Sequence, residues 1–161
     1  MKSIKYIIIS LAIAITSLST IAQTSSTEKF QKPSFDEISK FQGVTSIYLS
    51  KFMLKMAGNT AFNIEPRIGA IAKDLDSIEI IVCEDKTSSH RINKRLSDLV
   101  PTLNLETLAK INDDDEKVNI YGHPQDDVIT YLLMIVDDGE ELVILSMSGN
   151  ISIEKVAELT Q

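Results

Sequence analysis

Runs of β-branched and aromatic residues alternate along this chain with polar segments that contain Gly, Pro or Asp. Such runs, bounded by turn formers, predict β-strands, and four of them stand out, at residues 44–49, 77–83, 117–121 and 128–136. The segment Leu105–Ile111 fits both one face of a helix and one face of a strand. We favour a strand there, because Asp113–Glu116 has the composition of a hairpin tip and leads directly into the strand at 117–121.

One segment with helical spacing precedes the first strand, and two more lie between the first and second strands. Ser34 and Glu37 form a capping-box pattern that predicts a short helix through Phe41, ended by Gly43. Two further helical segments, residues 50–58 and 65–74, connect the strands at 44–49 and 77–83. A strand–helix–strand order usually joins parallel strands by a right-handed crossover, so we expect these two strands to be parallel.

Two more helices are predicted in the second half of the chain. After Glu84-Asp85, apolar residues recur at helical spacing, at Ile92, Leu96, Leu99 and Val100. Pro101 then ends the pattern. A final short helix is predicted from Ser152 to Leu159, after a turn at Gly149-Asn150. A further turn is expected at residues 123–127.

The sequence Asp138-Gly139 lies between two apolar runs and is typical of a two-residue hairpin turn. That turn predicts a register in which Ile135 faces Leu142, Leu133 faces Ile144, Met134 faces Val143 and Leu132 faces Leu145. Both faces of this hairpin are then apolar near the turn. Each face therefore has to be covered, by helices of the chain or by a partner.

These elements together predict an α+β fold, with a mixed β-sheet, a C-terminal antiparallel meander and helices mainly on one face. Residues 34–161 are long enough for one domain and too short for two comfortable cores. Residues 23–33 are polar and end in Pro33, so we expect a flexible lead-in to the domain.

Residues 1–22 have the pattern of a cleavable secretory signal. Lys2 and Lys5 precede an apolar stretch of about ten residues, half of the ~20 that a membrane span needs, and Ala22 offers a small residue at the cleavage point. Lipid attachment needs a cysteine just after that point, and the single cysteine of the chain is Cys83. We therefore expect a periplasmic or secreted protein, exported by the general secretory route and not embedded in the membrane after cleavage.

The charge distribution bears on the class of partner, and the cysteine content shows whether a disulfide can stabilise the fold. Residues 23–112 carry 12 Lys and Arg against 11 Asp and Glu, whereas residues 113–161 carry 2 against 12. This negative excess repels phosphate backbones and argues against nucleic acid as a partner. A single cysteine forms no internal disulfide, and Cys83, at the end of an apolar run, is predicted to be a core residue.

No sequence motif assigns catalytic, cofactor or metal-binding residues. His90 and His123 have no second ligand at metal spacing and are expected at the surface. Ser152 and Lys155 match S-x-x-K without its companion motifs. The acidic segments 113–116, 126–127 and 137–141 lack the spacing of a calcium loop, and we expect solvated carboxylates there.

Three weaker patterns concern the surface. A basic helical segment, expected to be a solvated face with Asp98 pairing with Lys94, is a candidate for docking on the acidic third of a second copy; it comprises Lys86, His90, Arg91, Lys94 and Arg95. Asp76-Ser77-Ile78 resembles an O-glycosylation pattern of exported bacterial proteins. Asn150-Ile-Ser152 is a formal N-glycosylation sequon.

Three segments carry a resemblance to a known family: Gly43–Gly58, the strand Lys117–Tyr121, and Leu142–Val156. In this order and with this leader they resemble the exported Gram-negative family catalogued as domain of unknown function 4252. The resemblance covers nearly all of residues 23–161 and favours a strand at Leu105–Ile111, while residues 59–66 depart from it. It implies no activity and no catalytic residues.

We therefore expect a non-enzymatic cell-envelope protein that binds a protein or an apolar ligand on the second face of its sheet, at the hairpin Leu132–Met134/Val143–Met147. The alternatives are a small periplasmic enzyme, whose site would assemble scattered groups such as His90, His123, serines and the acidic loops, and a calcium-binding envelope protein. The enzyme alternative requires at least two such groups to converge in one pocket.

Overall fold

A computed structural model describes residues 30–61, 72–113, 116–152 and 154 of the chain. The described elements follow one another as β1 (Val44–Ser50), α1 (Lys51–Ala61), β2 (Leu75–Cys83), α2 (Lys86–Leu99), a 3₁₀ turn (Val100–Leu103), β3 (Glu106–Asn112), β4 (Lys117–Gln125), β5 (Val128–Asp137) and β6 (Leu142–Ser152). Helices and strands thus share one chain, and the α+β class is confirmed, with strands predominating.

The strands form one six-stranded sheet in the order β1-β2-β6-β5-β4-β3. The C-terminal meander is confirmed, since β3, β4, β5 and β6 pair consecutively and antiparallel. The predicted strand at Leu105–Ile111 is confirmed as β3, and the tip that follows it closes with the Asp113 amide donating to the Glu116 carbonyl oxygen at 2.8 Å.

The predicted mixed sheet is wrong, because every pair of described strands is antiparallel. β1 pairs directly with β2, with Ile47 opposite Ile80. The chain therefore leaves β1 and re-enters β2 at the same end of the sheet. The crossover rule applies only when the second strand runs parallel to the first. Here the helical segment is the connection between the two strands of a long antiparallel hairpin.

Alternation along the strands separates two apolar clusters, one on each face of the sheet. On the first face, Ile81, Ile135 and Ile144 pack with Ile92 and Leu96 of α2. On the second face, Leu132 and Met134 belong to the cluster that contains Leu54 of α1. The two described helices therefore contribute to opposite faces, and the predicted placement of helices mainly on one face is not supported.

Helix α2 forms as its spacing predicts. The Asp85 carboxylate caps its N-terminus by accepting a hydrogen bond from the Ser88 amide at 2.7 Å. That bond lowers the pKa of Asp85. Pro101 ends the helix in the 3₁₀ turn, because proline fits the first turn of a helix but has no amide for its interior.

The hairpin of β5 and β6 has a four-residue loop, Asp138–Glu141, in place of the predicted two-residue turn. The Asp138 carboxylate accepts hydrogen bonds from the amides of Glu140 and Glu141, at 2.9 and 2.6 Å. The register consequently shifts by two residues, and Ile135 lies opposite Ile144 and not Leu142. A shift of two keeps each side chain on its predicted face, so both faces of the hairpin are apolar as expected.

Segment 34–41 forms turns where a helix was predicted. The amides of Ile38 and Ser39 both donate to the Phe35 carbonyl oxygen, at 2.9 and 3.0 Å, and the Phe41 amide donates to the Ile38 carbonyl oxygen at 3.1 Å, which gives consecutive turns and not a helix. The Ser34 hydroxyl interacts with Asp36, so the capping box with Glu37 is not formed. Burial of Phe35 and Ile38 in the first-face cluster favours this compact turn over a helix.

Three predicted boundaries are also wrong. α1 continues through Gly58-Asn59 to Ala61, β4 continues through His123-Pro124 to Gln125, and β6 continues through Gly149-Asn150 to Ser152. Local irregularities explain the last two, since the register shifts beside Pro124 and opposite Gly149. The predicted helices at 65–74 and 152–159, like the leader 1–22, lie almost wholly outside the described residues.

Candidate functional site

The large apolar side chains that are substantially exposed in the described part of the chain all lie in β1 and α1. They are 47% to 70% exposed and comprise Ile47, Tyr48, Phe52, Met53 and Met56. We call this set the β1–α1 surface. Exposed apolar side chains are ordinary when scattered, but five within ten consecutive residues are a local concentration, which is typical of an interaction site.

Helical geometry places three of these side chains together. Phe52, Met53 and Met56 are related by spacings of three and four residues and share one side of α1. Leu54 points to the opposite side and is buried in the second-face cluster. Because α1 is apolar on both sides, covering its inner side by the sheet leaves its outer side exposed.

Ile47 and Tyr48 come from the outermost strand of the sheet. In β1 the residues Thr45 to Tyr48 are all exposed, and no described strand pairs with the outer edge of β1. Ile47 lies on the same face as Leu49, hence on the second face, beside α1. Tyr48 points to the first face.

Polar contacts border the surface on two sides. The Lys51 ammonium pairs with the Asp76 carboxylate at 2.5 Å, in an exposed ion pair. On the first face, the Lys32 ammonium lies 5.6 Å from the centre of the Tyr48 ring and donates to the Ser77 hydroxyl at 2.8 Å. The apolar patch therefore has a polar rim, as protein interfaces commonly have.

The hairpin face on which we expected a ligand is not open. Leu132 and Met134 are buried, and Val143, Leu145 and Met147 are half-buried. The structure therefore does not support a binding site at this hairpin. Alternating apolar residues show that a face is covered, but they do not show whether the cover belongs to the chain or to a partner.

A polar cluster lies within the first face. The hydroxyls of Tyr131 and Ser146 are fully buried and have no hydrogen-bond partner in the described part of the chain. Burial raises the pKa of Tyr131 to about 12, and the Ser146 hydroxyl lies near enough to oppose the rise although the two hydroxyls do not meet hydrogen-bond geometry. Glu79 lies directly opposite Ser146, and burial raises its pKa too, against the effect of Lys32.

This cluster continues toward the end of β2. The hydroxyls of Ser77 and Ser148 are 2.7 Å apart. Ser77 is also buried and accepts from Lys32, so the hydroxyl of the Asp76-Ser77-Ile78 pattern is not accessible to a glycosyl transferase in the folded chain. Asn150 of the sequon is exposed.

The two histidines lie in different surroundings. His90 is exposed on α2, whereas His123, expected at the surface, is half-buried in β4 with its ring stacked on Phe30 at 4.6 Å. His123 Nδ1 lies 2.9 Å from the Thr130 hydroxyl. In the part of the chain described, neither histidine hydrogen-bonds to a serine or a carboxylate, the pairing that a nucleophile–base unit needs.

A cleft of about 480 Å³ runs beside His123, between the segment Phe30–Ser34 and the 3₁₀ turn. It includes Ser34, whose hydroxyl is engaged by Asp36, and Lys32, whose ammonium is engaged by Ser77. No carboxylate lines it. The enzyme alternative, which needs converging groups free to act, therefore has no geometric support in this cleft.

The acidic loops use carboxylates to hold their own backbone. Asp137 accepts from the Gly139 amide at 2.9 Å and from the Asn93 side chain at 2.7 Å, and Asp138 closes the β5–β6 loop. No three His, Cys, Asp or Glu side chains group as a metal site among the residues that the structure describes. The calcium alternative thus has no geometric support there either.

The basic segment of α2 is only partly a solvated face. The guanidinium groups of Arg91 and Arg95 lie 5.0 and 5.1 Å from the centre of the Phe41 ring, so they pack on the residue that follows the turn at 36–40. The expected ion pair between Lys94 and Asp98 does not appear among the salt bridges of the described residues. Cys83 is buried, as predicted, and burial raises the pKa of its thiol.

Sequence reasoning missed the β1–α1 surface, although a signal was present. The run Phe52-Met53-Leu54 together with Met56 places apolar residues on two sides of α1, and a helix that is apolar on two sides needs cover on both. We treated this segment only as a connection between strands.

Comparisons with known proteins return one family. A family model described as "Domain of unknown function (DUF4252)" matches residues 35–159. No curated protein and no solved structure gives a significant match. In the described ranges, every helix is too short or too polar to cross a membrane.

Proposed function

This chain belongs to the family of domain of unknown function 4252, and since membership fixes no activity, we propose from its own surface that it is a non-enzymatic cell-envelope protein that binds another protein. The binding site is the β1–α1 surface defined above. The observation that carries this proposal is the concentration of exposed large apolar side chains in ten residues at one edge of the sheet.

The chemistry of the surface suits a protein partner better than a small ligand. It is an exposed strand edge flanked by a helix, whereas small-molecule sites are concave and enclose most of the ligand. Aromatic residues and methionines are enriched in the cores of protein interfaces. Phe52 is 70% and Ile47 47% exposed, so covering the rest of each side chain would contribute about 0.7–2 kcal/mol.

Export rests on the pattern of residues 1–22, a basic start followed by an apolar stretch and a small residue at Ala22. We expect protein recovered from the periplasmic fraction to begin at or near Gln23. Mass spectrometry of the intact protein measures this directly. Recovery from the cytosol with Met1–Ala22 still attached would contradict export.

Site-specific photocrosslinking in cells tests the binding surface. A photoreactive phenylalanine analogue at Phe52 should give a discrete crosslinked product in the envelope fraction. The same analogue at Asp98, an exposed position on α2, serves as the control and should give none. If Phe52 gives no product, or if Asp98 gives the same one, the β1–α1 surface is not the binding site.

A further inference from the structure

The two edges of the sheet differ in their protection against pairing with another strand. β3, at one edge, carries Glu106 and Lys110 and has a register irregularity between Thr107 and Ala109. Charged side chains and bulges are the usual devices that keep an edge from accepting a new strand. The edge at β3 is therefore protected.

β1, at the other edge, has none of these devices. Its sequence, Val44–Ser50, contains no charged residue and no proline, and its pairing with β2 is regular over all seven residues. Long, flat and apolar edge strands are templates for a further strand, because their outward amides and carbonyls lack partners. An extended strand is the occupant that satisfies these backbone groups.

We propose that this strand is β1 of a second copy, so that two sheets join into one through antiparallel β1–β1 pairing about a two-fold axis at Ile47. This inference rests on the proposed function and identifies the bound protein as a second copy of the chain. Residues directly opposite one another in an antiparallel pair point to the same face of the sheet. The two-fold axis of a strand that pairs with its own copy must therefore lie between one residue and its symmetry mate. Ile47 is the centre of the strand, and an axis there uses all seven residues.

The side chains that this register brings together are compatible on both faces. On the second face, Ile47 meets its own symmetry mate and Leu49 meets Thr45. On the first face, Tyr48 meets Ser46 and Val44 meets Ser50. Aromatic and β-branched cross-strand pairs contribute about 0.2–1 kcal/mol each, and no like charges lie opposite one another. α1 lies on the same face as the Ile47 pair, because its Leu54 belongs to the second-face cluster together with Leu49 of β1.

The charge distribution also permits two copies to meet here. The negative excess of the chain lies in residues 113–161, and the hairpin tip Asp113–Glu116 is attached to β3 and β4. Five strand spacings separate β1 from β3, about 24 Å. The acidic segment 137–141 joins β5 and β6, which lie two to three strand spacings, about 10–14 Å, from β1. The screening length at physiological salt is about 8 Å, so both acidic segments contribute little repulsion at a β1–β1 contact.

Sedimentation equilibrium of the mature chain tests the proposal. The wild type should sediment as a dimer at micromolar concentrations. Ile47→Lys places two ammonium groups opposite one another and should give a monomer. The control Thr107→Lys, an exposed neutral position on the β3 edge, should remain dimeric. A monomeric wild type, or equal loss of the dimer in the control, overturns the proposal.

A mixture of variants keeps the test decisive if Ile47→Lys alone weakens folding. Ile47→Lys and Ile47→Glu, each monomeric and folded by circular dichroism, should form a mixed dimer, because opposite charges then meet at the axis. Absence of the mixed dimer refutes this register. A monomeric wild type that still gives a Phe52 crosslink to a different protein refutes self-pairing but supports the proposed function, while loss of both results refutes both.

Discussion

The buried hydroxyl of Tyr131 gives the sharpest energetic prediction of the fold. Tyr131 and Ser146 are both fully buried, and neither hydroxyl has a hydrogen-bond partner in the described residues. A buried hydroxyl without a partner costs about 1–3 kcal/mol, because folding removes it from water without compensation. Tyr131→Phe removes that cost and keeps the ring that packs on Phe30 at 5.0 Å.

We expect Tyr131→Phe to raise the free energy of unfolding by about 1–2 kcal/mol. Urea unfolding followed by circular dichroism measures the change, with Tyr48→Phe as the control. The Tyr48 side chain is 60% exposed, so loss of its hydroxyl should change stability by less than about 0.5 kcal/mol. Spectroscopic titration should show Tyr131 ionising near its pKa of about 12.

A double-mutant cycle with Ser146→Ala shows whether the two hydroxyls are independent. If each lacks a partner, both single variants are stabilised and their effects add within about 0.5 kcal/mol. If the hydroxyls bond to one another, both single variants lose stability and the cycle shows coupling. A loss of more than about 1 kcal/mol in Tyr131→Phe would refute our reasoning, since it would mean that a hydrogen bond had been removed.

Three other predictions concern stability and are measured by the same unfolding assay. Ile92→Ala should cost about 2–5 kcal/mol, because the side chain is fully buried between α2 and the sheet; a smaller loss would mean that α2 collapses into the space. Gly149→Ala should cost several-fold more than Gly139→Ala, because its new methyl group would clash with the Asp74 carbonyl oxygen, whereas nothing lies near Gly139 and only its positive φ costs about 1 kcal/mol. Glu79→Gln should raise the free energy of unfolding at neutral pH but change it little in acid. Burial raises the folded-state pKa of Glu79, so folding is favoured while the carboxyl is protonated at low pH, and the stability of the wild type falls as the pH rises through the folded-state pKa. Parallel stability–pH curves for Glu79→Gln and wild type would show that Glu79 does not cause this fall.

The meander was predictable from sequence because its information is local. Alternating apolar residues and polar tips define β4, β5 and β6, and consecutive strands commonly pair. The hairpin register was not predictable to the residue, because two turns competed for the same acidic loop. Asp138 accepts from two amides beyond Gly139, which favours a four-residue loop over the tight turn that Asp138-Gly139 usually makes.

The orientation of β2 relative to β1 was not predictable, because nothing local encodes it. A helix after a strand is compatible with a parallel crossover and with a long hairpin, and the choice depends on how α1 packs. Leu54 anchors α1 on the second face, in the cluster that also includes Leu49 and Leu75, the residues near which the chain leaves and re-enters the sheet. The candidate site was missed for a related reason: an apolar helix shows how much surface needs cover but not which side the sheet will cover.

The two faces of β1 do not contribute equally to association. On the first face, the chain itself already contacts the Tyr48 ring, since the Lys32 ammonium lies over it and donates a hydrogen bond to the Ser77 hydroxyl. On the second face, Ile47 and the outer side of α1 have no such cover among the described residues. A cation over an aromatic ring contributes about 0.5–1 kcal/mol at an exposed site, so a partner that displaced Lys32 would lose that contact. The energetic centre of a β1 interface therefore lies on the second face at Ile47, Phe52 and Met56, and Tyr48 with Lys32 forms its polar border.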